Sequence, residues 1–162
     1  MEMVIGKKIA HGSSNGLLRA AGIGGLALTG VWLLLAQAFA FEVASPVAAQ
    51  DYKLKAANFV FRTTGCADPG KVQVSALGEG IVDGARRSVQ MTVHASSKPG
   101  AWAIQRQWDA GRWVVVLKGA CGELQAGAIV PVREYGFIRE AVKLYSHAPA
   151  PGEVDAALKA LQ

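Results

Sequence analysis

At 162 residues and a net charge of +5, with 51% of the residues apolar, the chain has room for one modest domain. Three of its 17 basic residues and one of its 12 acidic residues lie within residues 1–40, leaving 14 against 11 downstream. No basic run there exceeds Arg86-Arg87, and no aromatic stacking residues accompany it, which excludes a nucleic-acid surface.

The chain starts basic up to Arg19 and then runs uncharged from Ala20 to Ala40, AAGIGGLALTGVWLLLAQAFA. A cationic start, an apolar centre and a small-residue exit mark a secretory signal peptide. Cleavage is offered after Ala40 (Ala38-Phe39-Ala40) or after Ala49 (Val47-Ala48-Ala49). The same run also has the length of a retained apolar helix anchored in a bilayer. Both readings keep the positive end inside and place the domain in the periplasm or outside the cell. Residues 20–40 then hold it to the inner membrane if they are not removed, and the membrane is a partner only through that segment. On this reading residues 1–40 are signal or anchor and 41–51 a mobile small-residue linker. Residues 52–133 form a β domain, and 134–162 a C-terminal extension.

Tyr52 to Thr63 reads as the first strand of that domain, and its alternation slips near Ala56-Ala57, which predicts a bulge. The cluster TGCADPG, residues 64–70, turns the chain into a second strand, Lys71–Val82. Val72, Val74 and Ala76 share one face of it, while Gly78 and Gly80 weaken its second half. Asp83-Gly84 opens a loop through Arg87. Ser88–Ala95 then alternates cleanly, with Val89, Met91 and Val93 inward and Gln90, Thr92 and His94 outward.

After a turn at Lys98-Pro99-Gly100 comes AWAIQRQWDAGRWVVVL, residues 101–117. Two runs rich in Trp, Ile and Val flank Asp109-Ala110-Gly111-Arg112, the pattern of a β-hairpin. A four-residue loop pairs Trp108 with Trp113 and Ile104 with Leu117, and gathers three tryptophans on one surface, large enough to nucleate a core. A three-residue loop with a bulge at Gly111 shifts the register by one. Gln107 lies on the opposite face, where its loss should matter little. Leu124–Val132 forms a further strand, with Pro131 arguing for a sheet edge. Glu134–Tyr145 fits helix and strand equally, and Gly152–Leu161 reads as a short helix with Val154, Leu158 and Leu161 on one stripe. The expected fold is mainly β: an antiparallel sandwich of six or seven strands, with an N-terminal apolar helix and a short C-terminal helix.

Two cysteines in an exported domain read as a pair, so Cys66 and Cys121 are expected to form a disulfide. The exported start, the SVQMTV strand and the PGAWAIQRQWDAGRWVVVL segment together resemble small bacterial periplasmic immunoglobulin-like domains of the YtkA/FixH type. The resemblance covers about Lys71 to Val132 and implies an immunoglobulin-like sandwich. It carries no enzymatic residue over, and the histidine and methionine clusters of related copper-carrier sandwiches are lacking here.

Chemistry-bearing residues are sparse. Met91 and His94 suit copper, but residues three apart on a strand project from opposite faces, so no metal site is expected. Ser88, Ser96 and Ser97 lie near His94 without an elbow, Ser146 and His147 are merely adjacent, and Glu79, Asp83, Asp109 and Glu123 fall in turns. No catalytic residue and no cofactor is assigned. Arg106 reads as an arginine at the core's margin, its stem covering Trp108 while its head reaches water. With Trp108 and Trp113 it is also the candidate partner-binding patch, a guanidinium stacked between rings and exposed to an envelope protein or ligand. The expectation is thus a non-catalytic exported sandwich acting as a binding or accessory module in the envelope. A periplasmic copper carrier is the alternative.

Overall fold

The computed structural model describes residues 38–46, 54 and 56–161. The apolar helix expected over residues 20–40 lies outside the described residues as far as residue 37. Among the described residues the chain builds nine strands: β1 (Ala40–Ala44), β2 (Ala57–Thr64), β3 (Gln73–Val82), β4 (Ala85–Met91), β5 (His94–Ala95), β6 (Ala101–Gln105), β7 (Arg112–Cys121), β8 (Leu124–Val132) and β9 (Lys143–Tyr145). An α-helix, α1 (Pro151–Lys159), closes the described chain. The strands form two antiparallel sheets, ordered β1-β2-β6-β5 and β4-β3-β7-β8-β9. Their inner faces share one core, which joins Phe41, Phe59, Phe61 and Ile104 of the first sheet to Trp113, Val115, Leu117 and Val130 of the second. The architecture is sandwich-like.

The strongest element is β7, which is apolar on both faces. Trp113, Val115 and Leu117 point into the shared core, while Val114 and Val116 point outward and are buried by Val154, Ala157 and Leu158 of α1. A strand covered on both sides needs a continuous apolar run rather than alternation, and WVVVL supplies it. The glycines of β3 have a reason here. A Cβ at Gly78 would strike the Met91 thioether, and one at Gly80 would strike the Trp113 indole. Gly78 and Gly80 leave the space those side chains fill, and β3 continues through both of them. Its outward Glu79 meets the helix side: it accepts hydrogen bonds from Ser88 Oγ at 2.7 Å and Arg86 Nε at 3.0 Å. Arg86 also pairs with Asp155 of α1. Those two carboxylates, Asp155 first, hold the guanidinium still more firmly in its charged form than usual.

Several expectations are corrected. The tryptophan segment is not a hairpin: β6 pairs with β2 and β5, and β7 pairs with β3 and β8, so the chain crosses between sheets over Arg106–Gly111. Trp102, Ile104, Trp108 and Trp113 still meet in one core, because arms in opposite sheets face one another across it. Residues 41–44 are not linker but most of β1, fully paired with β2 from Ala40↔Thr64 to Ala44↔Val60. Residues 47–51 of the expected linker lie outside the described residues. The Asp83-Gly84 loop ends at once, since Arg86 and Arg87 already belong to β4. The Ser88–Ala95 strand breaks after Met91, and His94 continues in the other sheet. β8 is not an edge, for β9 pairs with Gly127–Ile129 and the Pro131 carbonyl accepts from Ile138 N at 2.8 Å. The segment after residue 133 joins the same fold through β9 and α1. Other expectations hold: the bulge in β2 falls between Ala57 and Phe59, and the last helix stands where the apolar stripe placed it.

Candidate functional site

The crossing that replaces the hairpin determines where Arg106 sits. Leaving β6, it turns back on the connector, and its Nε donates to the Trp108 carbonyl at 3.1 Å. Its Nη1 donates to Glu134 Oε1 at 3.0 Å. Glu134 belongs to the loop after β8, at the end of the molecule where β1, β6 and β8 finish. That loop is tied down by Asn58 of β2, whose side chain is buried. Asn58 Nδ2 donates to the Arg133 carbonyl at 3.1 Å, and its Oδ1 accepts from Gly136 N at 2.5 Å. Gly136, at φ +80°, supplies the left-handed residue that reverses the loop. Tyr135 is thereby displaced outward and stands 86% exposed.

These residues surround an open cleft of about 510 Å³, bounded by Ser45 and Pro46 after β1, Ala57 and Asn58, Arg106, and Glu134 to Gly136. It presents an ion pair at its wall and an unpacked phenol at its lip. An arrangement of this kind can hydrogen-bond and stack on a partner.

Of the three residues expected to form a partner-binding patch, only Arg106 reaches the surface. Trp108 and Trp113 are 6% and 1% exposed and offer nothing to a partner. The tryptophans are buried as the nucleus of a core, but the crossing rather than edge-to-edge pairing brings them together. Asn58, Glu134 and Tyr135 went unassigned in the sequence. The signal available was an aromatic beside a glycine just after an apolar strand, Tyr135-Gly136, which is turn chemistry carrying an exposed ring.

Cys66, just after β2, and Cys121, at the end of β7, are joined in a disulfide with their Cα atoms 6.0 Å apart. The bond staples one sheet to the other at the end opposite the cleft, and it points to an oxidising compartment. Met91 is buried in the core, while His94 lies in the other sheet. Among the described residues, no three His, Cys, Asp or Glu side chains gather as a metal-binding group. His147 lies in the loop before α1, its ring centroid 5.3 Å from that of Tyr145 and its Nε2 3.9 Å from Glu153 Oε1. Burial raises the Tyr145 phenol above its usual range, and Glu153 adds to the effect. No helix among the described residues is long and apolar enough to cross a membrane. No protein-family model, curated protein or solved structure matches this chain.

Proposed function

We propose that this protein is an exported, non-catalytic immunoglobulin-like β-sandwich. It serves as a binding or accessory module of the cell envelope, and the cleft beside Arg106 and Tyr135 is its docking surface. The observation that carries this reading is Tyr135, a large amphipathic ring held 86% exposed by a loop whose backbone is anchored through the buried Asn58. Burying an exposed tyrosine on a preformed loop gains contact area at low entropic cost. The disulfide and the uncharged stretch before β1 support an extracytoplasmic location. The resemblance of residues 71–132 to periplasmic immunoglobulin-like domains agrees with it.

The test is crosslinking in intact cells, with a photoreactive residue at Tyr135 or, at the opposite end, at Glu123. A discrete adduct from position 135 that is absent from position 123, and lost on Arg106→Ala, is the expected result. No adduct, or equal adducts from both positions, would remove the cleft as a docking surface.

A further inference from the structure

The start of the folded domain lies earlier than the small-residue pattern of the leader places it. Phe39 is 5% exposed and Phe41 1%, and both belong to the core shared by the two sheets. The space for them is built into the opposite sheet at Gly119 of β7. A Cβ there would lie 2.7 Å from Phe41 Cζ and 3.4 Å from Phe39 Cζ. The Phe41 ring also meets the edge of Phe61, with centroids 5.7 Å apart. All five residues of β1 pair with β2, and Glu42 forms an ion pair with Arg62 across that ladder. A chain beginning at Gln50 loses the whole strand and both rings. A chain beginning at Phe41 loses Phe39 and the Ala40↔Thr64 pair.

Neither cut suits this core, and one further upstream does. Ala36-Gln37-Ala38 presents small residues at the third and first positions before the Ala38–Phe39 bond, the pattern a signal peptidase recognises. Ala38 is exposed where Phe39 is buried, so burial begins immediately after that bond. Resting on the export reading above, we infer that the mature protein begins at Phe39, released by a signal peptidase after Ala38. One water molecule is consumed as the C–N bond breaks. Its oxygen completes the carboxylate of Ala38, and both its hydrogens go to the nitrogen of Phe39, which leaves as an ammonium. Every core contact of Phe39 and of β1 is then retained.

Expressing the full chain in a bacterium with a periplasm, followed by fractionation, intact mass and N-terminal sequencing, tests this. The expected product is soluble, exported and begins at Phe39. Ala38→Tyr, a substitution at an exposed site that leaves the core alone, should shift the protein to an uncut membrane-bound form, whereas Ala49→Tyr should leave the start unchanged. An exported product beginning at Phe41 or Gln50 overturns the assignment while leaving export intact. So does unmutated protein recovered uncut in the membrane, which makes residues 20–40 an anchor. Uncut protein in the cytoplasm overturns the export reading and the cleavage site together.

Discussion

Asp83-Gly84 and Asp109-Ala110-Gly111 both set an aspartate and a glycine between strand-forming runs. The first closes a hairpin within one sheet, and the second carries the chain across to the other. At the first, both residues are left-handed, with φ of 49° and 77°. Two consecutive left-handed residues match the right-handed twist of paired strands and force the next strand back alongside the last. At the second, only Gly111 has a positive φ, so the local backbone does not compel pairing and the side chains decide. Edge-to-edge arms would set Trp102, Ile104, Trp113, Val115 and Leu117 side by side on one surface that still needed covering. Arms in opposite sheets cover each other.

A second crossing lies beside this one and is hydrogen-bonded to it. Between β4 and β5 the chain leaves one sheet for the other at Thr92-Val93, a bend of the kind that turns corners between packed sheets. The break leaves Thr92 without a ladder partner, and Gln107 of the first crossing takes that place. Its Oε1 accepts from Thr92 N at 2.8 Å and its Nε2 donates to the Thr92 carbonyl at 3.1 Å. The two sheet changes are thus held together by one side-chain amide that imitates a strand.

The contrast between hairpin and crossing can be broken most directly at the core. Trp113→Ala should cost about 3–5 kcal/mol in denaturant unfolding, as for other buried large aromatics. A cost under about 1 kcal/mol would show that β7 is not the centre of the fold. Removing the inter-sheet staple with Cys66→Ser and Cys121→Ser, which opens a separation of 55 residues, should cost about 4 kcal/mol on the chain-entropy model. An unchanged midpoint after reduction would mean that the sheets need no covalent tie.

The glycines sharpen the comparison at intermediate scale. Gly80→Ala, driven into the Trp113 indole, should destabilise by about 1–3 kcal/mol through overpacking. In the hairpin turn, Gly84→Ala meets nothing in space and should cost about 1 kcal/mol from its positive φ alone. Gln107→Ala should cost about 1–2 kcal/mol, the worth of two net hydrogen bonds, and should speed hydrogen exchange at the Thr92 amide. A neutral result with unchanged exchange would restore the expectation that Gln107 is idle. Smallest of all, Arg106→Ala removes a partly exposed ion pair with Glu134 and should change stability by about 0–1 kcal/mol. A loss well beyond that would make Arg106 a structural residue rather than part of a docking surface.

Much of this protein is written in local pattern. Period-two alternation marks β2, β3 and β4, the apolar stripe of Val154 and Leu158 marks α1, and the Asp83-Gly84 and Gly122 turns sit where strands reverse. The cysteine pair is also legible, because two thiols behind a leader-like start have few other uses. What local pattern leaves open is which strand lies beside which, since a run such as WVVVL fits an edge-paired arm and a strand buried on both faces equally well. Partner choice is a global property: it is settled by whichever arrangement buries the tryptophans and phenylalanines against one another. Hence β6 and β7 part company, and Phe41–Ala44 joins the first sheet instead of trailing as linker. The cleft is decided the same way, since Asn58, Arg106 and Tyr135 meet only once both crossings and the loop after β8 are in place. Sequence alone determined that this chain makes strands and a short helix; the demand to bury both faces of β7 decided how they are joined.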